Sequence, residues 1–233
     1  MAEEGLRIIE AVNHPFRLID AGRGVGMVHL RQGDVPRAIP LLERAVGLCQ
    51  DWQIPLLWPI MAANLGLVYA LDRRVAAGLE LVERAVEQAV AGDRPRALVH
   101  TVVPLSEAYL LAGRLEEARQ RAAQALDLAR QYQQRGNQAW ALWLLGESTA
   151  RQASPEREPA AGHYHQALTL AEELGMRPLQ AHCHRGLGML YATVGQQESA
   201  RAALSTAIEM YQTMAMTFWL PETEAALAQV DAR

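Results

Sequence analysis

Small and apolar residues return along this chain at fixed offsets. In "VGMVHLRQGDVPRAIPLLERAV" they are Gly26, His29, Ala38 and Ala45; in "LGLVYALDRRVAAGLELVERAV" they are Gly66, Tyr69, Gly78 and Ala85. The third copy has Ser106, Tyr109, Ala118 and Ala125, the fourth Gly146, Thr149, Ala160 and Ala167, and the fifth Gly188, Tyr191, Ala200 and Ala207. The leading small residue falls at 26, 66, 106, 146 and 188, steps of 40, 40, 40 and 42. The longer last step reflects two extra residues in "RQASPEREP" of the fourth copy. A small residue and an aromatic three positions on share one face of a helix, and an alanine pair seven apart spans two turns of a second helix. Gly or a charged pair between them marks the turn. Each copy is therefore a helical hairpin in which small residues let two helices approach. The tyrosine slot fills the wedge between neighbouring hairpins. A single hairpin cannot cover both faces, so the copies stack as a solenoid.

The small-x-x-Tyr, Gly, Ala, Ala order resembles the tetratricopeptide repeat (TPR), with a period of 40 residues in place of about 34. The resemblance implies an all-α, right-handed TPR-like solenoid of five hairpins with one flanking helix at each end. The expected divisions are 1–13 (second helix of a truncated preceding repeat), 14–53, 54–93, 94–134, 135–175 and 176–215 (repeats), and 216–233 (capping helix). The stretch "AEELGMRPLQAHCHRGLGMLYATVGQQESARAALSTAIEMYQTMAMTFWL" resembles the C-terminal repeats of bacterial regulatory proteins that join a class III nucleotide cyclase or a regulatory ATPase to a repeat tail. That implies a regulatory or scaffolding tail in bacterial signalling, without the catalytic parts.

Composition narrows the function classes. Half of the 233 residues are hydrophobic, enough for a sizeable core, and a net charge of -4 gives no electrostatic case for nucleic acid. Two cysteines, Cys49 and Cys183, are too few for a disulfide framework. No apolar run reaches membrane-span length, and the acidic start "MAEEGLRIIE" lacks signal-peptide order. The chain reads as cytoplasmic, with no membrane partner. Leu6, Ile8 and Ile9 lie on a helix whose hairpin mate is missing, so self-association through that end, or a preceding NTPase or catalytic domain of the same protein, is expected.

Catalytic and cofactor chemistry finds no support in the motifs. His163 with His165, and His182 with His184, stand two apart, so neither pair chelates well on a helix; no metal site is expected. Gly22, Gly24 and Gly26 lack the strand and the Gly-Lys-Ser/Thr of a phosphate loop. No nucleophile elbow or partnered histidine appears, so the chain reads as a non-enzyme without cofactor. The resemblance implies instead a concave groove lined by the first helix of each hairpin, binding a peptide, helix or neighbouring domain. Its residues would be Arg23, Met27, Asn64, Leu67, His100, Glu107, Trp140, Trp143, Glu147, Arg185 and Met189. Trp and Arg are enriched at binding hot spots. The chain has no lysine, which excludes the lysine-dependent carboxylate clamp that Asn64 would otherwise suggest. On this reading Trp143 and Arg23 are dispensable for stability, whereas Gly188 and Tyr191 are packing residues. The alternative reading is a ligand-sensing regulatory tail.

Overall fold

The computed structural model describes residues 14–152 and 157–232. Leu6, Ile8 and Ile9, and with them the truncated first repeat, lie outside the described residues. Eleven helices and no strand occur among the described residues: α1 Pro15–Gln32, α2 Val35–Asp51, α3 Trp58–Leu71, α4 Val75–Ala91, α5 Pro95–Leu111, α6 Leu115–Gln131, α7 Arg135–Ala150, α8 Arg157–Glu173, α9 Arg177–Thr193, α10 Gln197–Thr213 and α11 Leu220–Asp231. They form two compact units, Met1–Ala112 and Gly113–Arg233. In the first, α1 packs on α2, α2 on α3, α3 on both α4 and α5, and α4 on α5. In the second, α6 packs on α7, α7 on α8 and α9, α8 on α9, α9 on α10, and α10 on α11. Antiparallel neighbours joined by short turns are what a helical-hairpin array requires.

The odd-numbered helices are the more buried. Nearly all of α3, and α7 from Ala139 to Thr149, are buried, as befits helices that are apolar or small on every side. The even-numbered helices bury a single stripe, Ala38, Leu42, Ala45 and Cys49 in α2 and Ala118, Ala122, Ala125 and Ala129 in α6. The small-residue slots are close approaches. A Cβ added to Gly66 would lie 2.7 Å from the Gly78 carbonyl oxygen, and one on Gly78 would lie 2.5 Å from the Gly66 oxygen. Gly78 thus sits inside α4, against the backbone of α3.

Starts and stops are local. Pro stands in the first two positions of α1, α2, α3, α5, α9 and α11, where its missing N–H costs nothing. Each described turn carries one left-handed residue. After odd-numbered helices these are Gly33, Arg73, Gly113 and Gly195; after even-numbered helices they are Gln53, Asp93, Gln133, Gly175 and Ala215. Both series keep the 40-residue step, widened by two across the fourth repeat.

The tyrosine slot does more than fill space. Tyr69 donates its hydroxyl to Glu43 Oε1 at 2.6 Å, Tyr109 donates to Glu83 Oε1 at 2.7 Å, and the Tyr191 hydroxyl lies 3.3 Å from His165 Nε2. All three partners stand 26 residues earlier, on the second helix of the preceding hairpin. The contact ties one repeat to the next.

Candidate functional site: the faces of the odd-numbered helices

In the first unit, Arg23 is half-buried on α1 and bonds Asp20 Oδ1 through Nη2 at 2.7 Å. Met27 is half-buried, and His100 on α5 is exposed. Enough protein surrounds the imidazole that desolvation, with the Arg23 charge second, lowers its pKa. Asn64 and Leu67 are buried in α3. Glu107 is buried on α5 and accepts a 3.1 Å bond from Arg31 Nη1 at the end of α1. Of the expected groove residues here, Arg23, Met27 and His100 are accessible; Asn64, Leu67 and Glu107 are covered.

In the second unit the expected residues converge on an aromatic and ionic cluster. Trp140 and Trp143, one turn apart on α7, meet edge to face at 5.5 Å. The His182 ring lies 5.3 Å from Trp143, 5.5 Å from Tyr211 and 4.8 Å from Trp219, and its Nδ1 is 2.8 Å from the Tyr211 hydroxyl. Such contacts hold rings in defined geometry. Trp143 is only 5% exposed, so its expected dispensability for stability is corrected: the indole is buried against the Trp140 and His182 rings.

One turn beyond these rings lies a charged layer. Glu147 is buried, accepts the Tyr164 hydroxyl at 2.8 Å on Oε1, and pairs with Arg151 through Oε2. Burial first, then the Glu147 charge, raises the Tyr164 pKa well above its usual value, so the phenol stays a donor. Arg185, on α9, is 4% exposed and donates from Nη2 to Glu222 Oε1 at 2.6 Å. Burial opposes its charge; the carboxylates of Glu147 and Glu222 more than offset this, and its pKa is raised.

Two cavities flank Met189, which is 37% exposed. One, about 130 Å³, lies between α7 and α9 and is lined by Glu147, Ala150, Arg151, Gly186, Met189 and Leu190, with Tyr164 and Thr193. The other, about 180 Å³, lies between α9 and α11 and is lined by Met189, Ala192, Thr193, Ala226, Gln229 and Val230. They are the same cavity one repeat apart. Glu147, Ala150 and Arg151 correspond to Met189, Ala192 and Thr193 at a step of 42; Gly186, Met189 and Leu190 correspond to Ala226, Gln229 and Val230 at a step of 40.

Sequence reasoning missed Arg31, Tyr164, Tyr211, Trp219 and Glu222. A signal existed for Glu222, because His100, Trp140, His182 and Glu222 follow the repeat step. Tyr164 likewise occupies the slot of Leu42, Val82 and Leu204 once the two inserted residues are counted. Arg31 had no such signal, since its partner is 76 residues away. Among the described residues no helix is long and apolar enough to cross a membrane, and no group of three or more His, Cys, Asp or Glu could hold a metal.

No family model matches the chain, and no curated protein matches its sequence. Solved structures do resemble it. The Rap protein complexed with competence and sporulation factor aligns at a TM-score of 0.76 and 15% identity, over 98% of this chain and 67% of that one. NprR in complex with its cognate peptide NprX aligns at 0.69 and 16% identity, over 98% of this chain and 65% of that one. A STAND signal-transduction ATPase with a tetratricopeptide repeat sensor, from Pyrococcus horikoshii, aligns at 0.66 and 15% identity, over 95% of this chain and 33% of that one. The chain thus spans about two thirds of the first two proteins and a third of the last. Identities this low speak for fold alone, and the fold they share with these hairpins is the all-α TPR-like repeat.

Proposed function

We propose that this chain is a non-catalytic protein-interaction module that binds an extended peptide along the exposed margins of α7, α9 and α11. The observation that carries this reading is the repetition of one cavity on either side of Met189, built from equivalent positions of α7, α9 and α11. Two solved structures with this fold are complexes, Rap with competence and sporulation factor and NprR with its cognate peptide NprX, and the latter supports a peptide as occupant.

Peptides selected from a random display library against the full chain test this. Ala226→Leu fills one cavity and is expected to weaken selected peptides by about tenfold or more, roughly 1.4 kcal/mol. Glu209→Ala, on the exposed face of α10, is expected to leave them unchanged. Peptides indifferent to filling both cavities would sink the reading. A second reading, a ligand-sensing tail of a nucleotide cyclase or signalling ATPase, draws on the repeat sensor of the STAND ATPase. It predicts that the complete reading frame joins these repeats to an NTPase or cyclase domain.

A further inference from the structure

Arg185 and Glu222 form an unequal pair. The arginine side chain is 5% exposed, whereas the Glu222 side chain is 65% exposed. The arginine cannot leave, and its Nε has no partner among the described residues. Glu222 can leave at little cost, because an exposed carboxylate recovers its hydration in water. The other carboxylate near the guanidinium, Glu147, is held by Arg151 and by the buried Tyr164 hydroxyl. Of the charged groups packed around Arg185, Glu222 is therefore the exchangeable one. The pair also sits beside a cavity. Arg185 precedes Met189 by one turn on α9, Glu222 precedes Ala226 by one turn on α11, and Met189 and Ala226 line the cavity between those helices.

We propose that a peptide ligand seats an acidic side chain on Arg185 in place of Glu222, with an apolar side chain entering the cavity lined by Met189, Ala226 and Val230. This rests on the peptide-binding reading above and names the chemistry of its ligand. The spacing fits. Residues four apart on a helix are about 6 Å apart along its axis, and side chains two apart on an extended strand, which share a face, are about 6.6 Å apart. The motif is therefore acidic-x-apolar. A side-chain carboxylate suits the site better than a chain terminus. Glu222 reaches Arg185 from a backbone at the exposed rim, and a ligand glutamate has the same reach. A terminal carboxylate would need the ligand backbone itself to enter beside a residue that is 4% exposed. Glu222 then acts as a built-in competitor, and removing it should strengthen binding.

The test uses the full chain and hexapeptides blocked at both ends, acetyl-Ala-Ala-Glu-Ala-Leu-Ala-amide and its Glu-to-Gln and Leu-to-Ala versions. A fourth peptide carries Gln and ends in a free carboxylate after Leu. Titration calorimetry is expected to show the Glu peptide binding Glu222→Gln about tenfold tighter than the unsubstituted chain, with the other three at least about tenfold weaker. Should Glu222→Gln melt below the assay temperature, Glu222→Asp, which shortens the reach, is expected to shift affinity in the same direction. Equal affinity for the Gln peptide, preference for the free terminus, no gain in either variant, or no binding at millimolar peptide each overturns the acidic seat. The peptide-binding reading is judged separately. Library peptides that need the cavities but no acidic residue would uphold it while this inference fails.

Discussion

A single side chain explains why the fifth repeat carries a second glycine, Gly186, two residues before the small slot at Gly188. Tyr164 stands where the other copies have Leu42, Val82, Ala122 and Leu204, and its ring occupies the space two glycines leave. A Cβ on Gly146 would lie 2.8 Å from Tyr164 Cδ1, and one on Gly186 would lie 2.5 Å from its Cε1 and Cζ. Gly186→Ala is therefore expected to cost about 1–3 kcal/mol by overpacking, read as a fall in the urea midpoint. Phe in place of Tyr164 should also destabilise, because buried Glu147 loses a donor. Trp143→Ala should cost about 3–5 kcal/mol, as large aromatic truncations in cores do. Arg23→Ala, which breaks only a surface pair with Asp20, should stay within about 0.5 kcal/mol. Equal effects of these last two on the melting curve would refute the packing assignment. The cysteines should behave as core residues too. Burial pushes the Cys49 thiol up to about 11 and raises Cys183 further, so neither should react with a thiol reagent at pH 8 until the chain unfolds.

At the scale of elements, the repeat was legible because it is written in packing positions. Gly66 and Gly188 are small for the reason their spacing suggests: added Cβ atoms would meet Val82 Cγ2 at 2.5 Å and Leu204 Cγ at 2.7 Å. The turns were only partly legible. Glycine marks the left-handed residue at 33, 113 and 195, but the second copy puts Arg73 there at φ 62°. Left-handed geometry is costly for residues with a Cβ, so Arg73→Gly is expected to stabilise by about 0.5–1 kcal/mol, seen as a rise in Tm. A fall would mean the arginine makes an interaction that outweighs its backbone strain. The groove was less legible than the hairpins. Periodicity tells which face of a helix looks inward, but not how tightly neighbours close over it. Leu67, Glu107, Trp143 and Arg185 share the inward register with Arg23 and Met189, yet all four are buried. What closes over them comes from distant positions, such as Arg31 on Glu107 and Trp219 beside His182, which no local pattern announces.

For the whole molecule, two consequences follow from stacking. The first concerns pH. Desolvation lowers the pKa of His163, and for His184 it does so against the opposing charge of Glu172; His100 is lowered as well. The unfolded chain, with histidines near 6.5, then binds protons that the folded chain does not. Stability is complete above that value and falls as pH drops through it toward the folded pKa values. Urea midpoints should therefore decline between about pH 7 and pH 5, less so in His184→Gln; a midpoint that rose on acidification would contradict the sign. The second concerns the C-terminal end. In a repeat array each unit is stabilised mainly by its neighbours, so an end helix matters through the face it covers. The α11 helix covers Ala200 and Leu204 with Val230, supported by Tyr191, Ala226 and Leu227. Its approach segment places Met216 on Ala181, Ala207 and Tyr211, beside Trp219 and Leu220. It also brings the Glu222 carboxylate to buried Arg185. Ending the chain after Ala215 would uncover both clusters and leave the arginine without that partner. Each fully buried apolar side chain contributes about 1.5–3 kcal/mol, so the loss should exceed about 3 kcal/mol and surpass Gly186→Ala. It should also be local. Hydrogen exchange is expected to speed up in α9 and α10 while α3 and α4, which belong to the first unit, keep their protection. Uniform loss of protection across the chain would show that the two units unfold as one and that nearest-neighbour stacking is the wrong description.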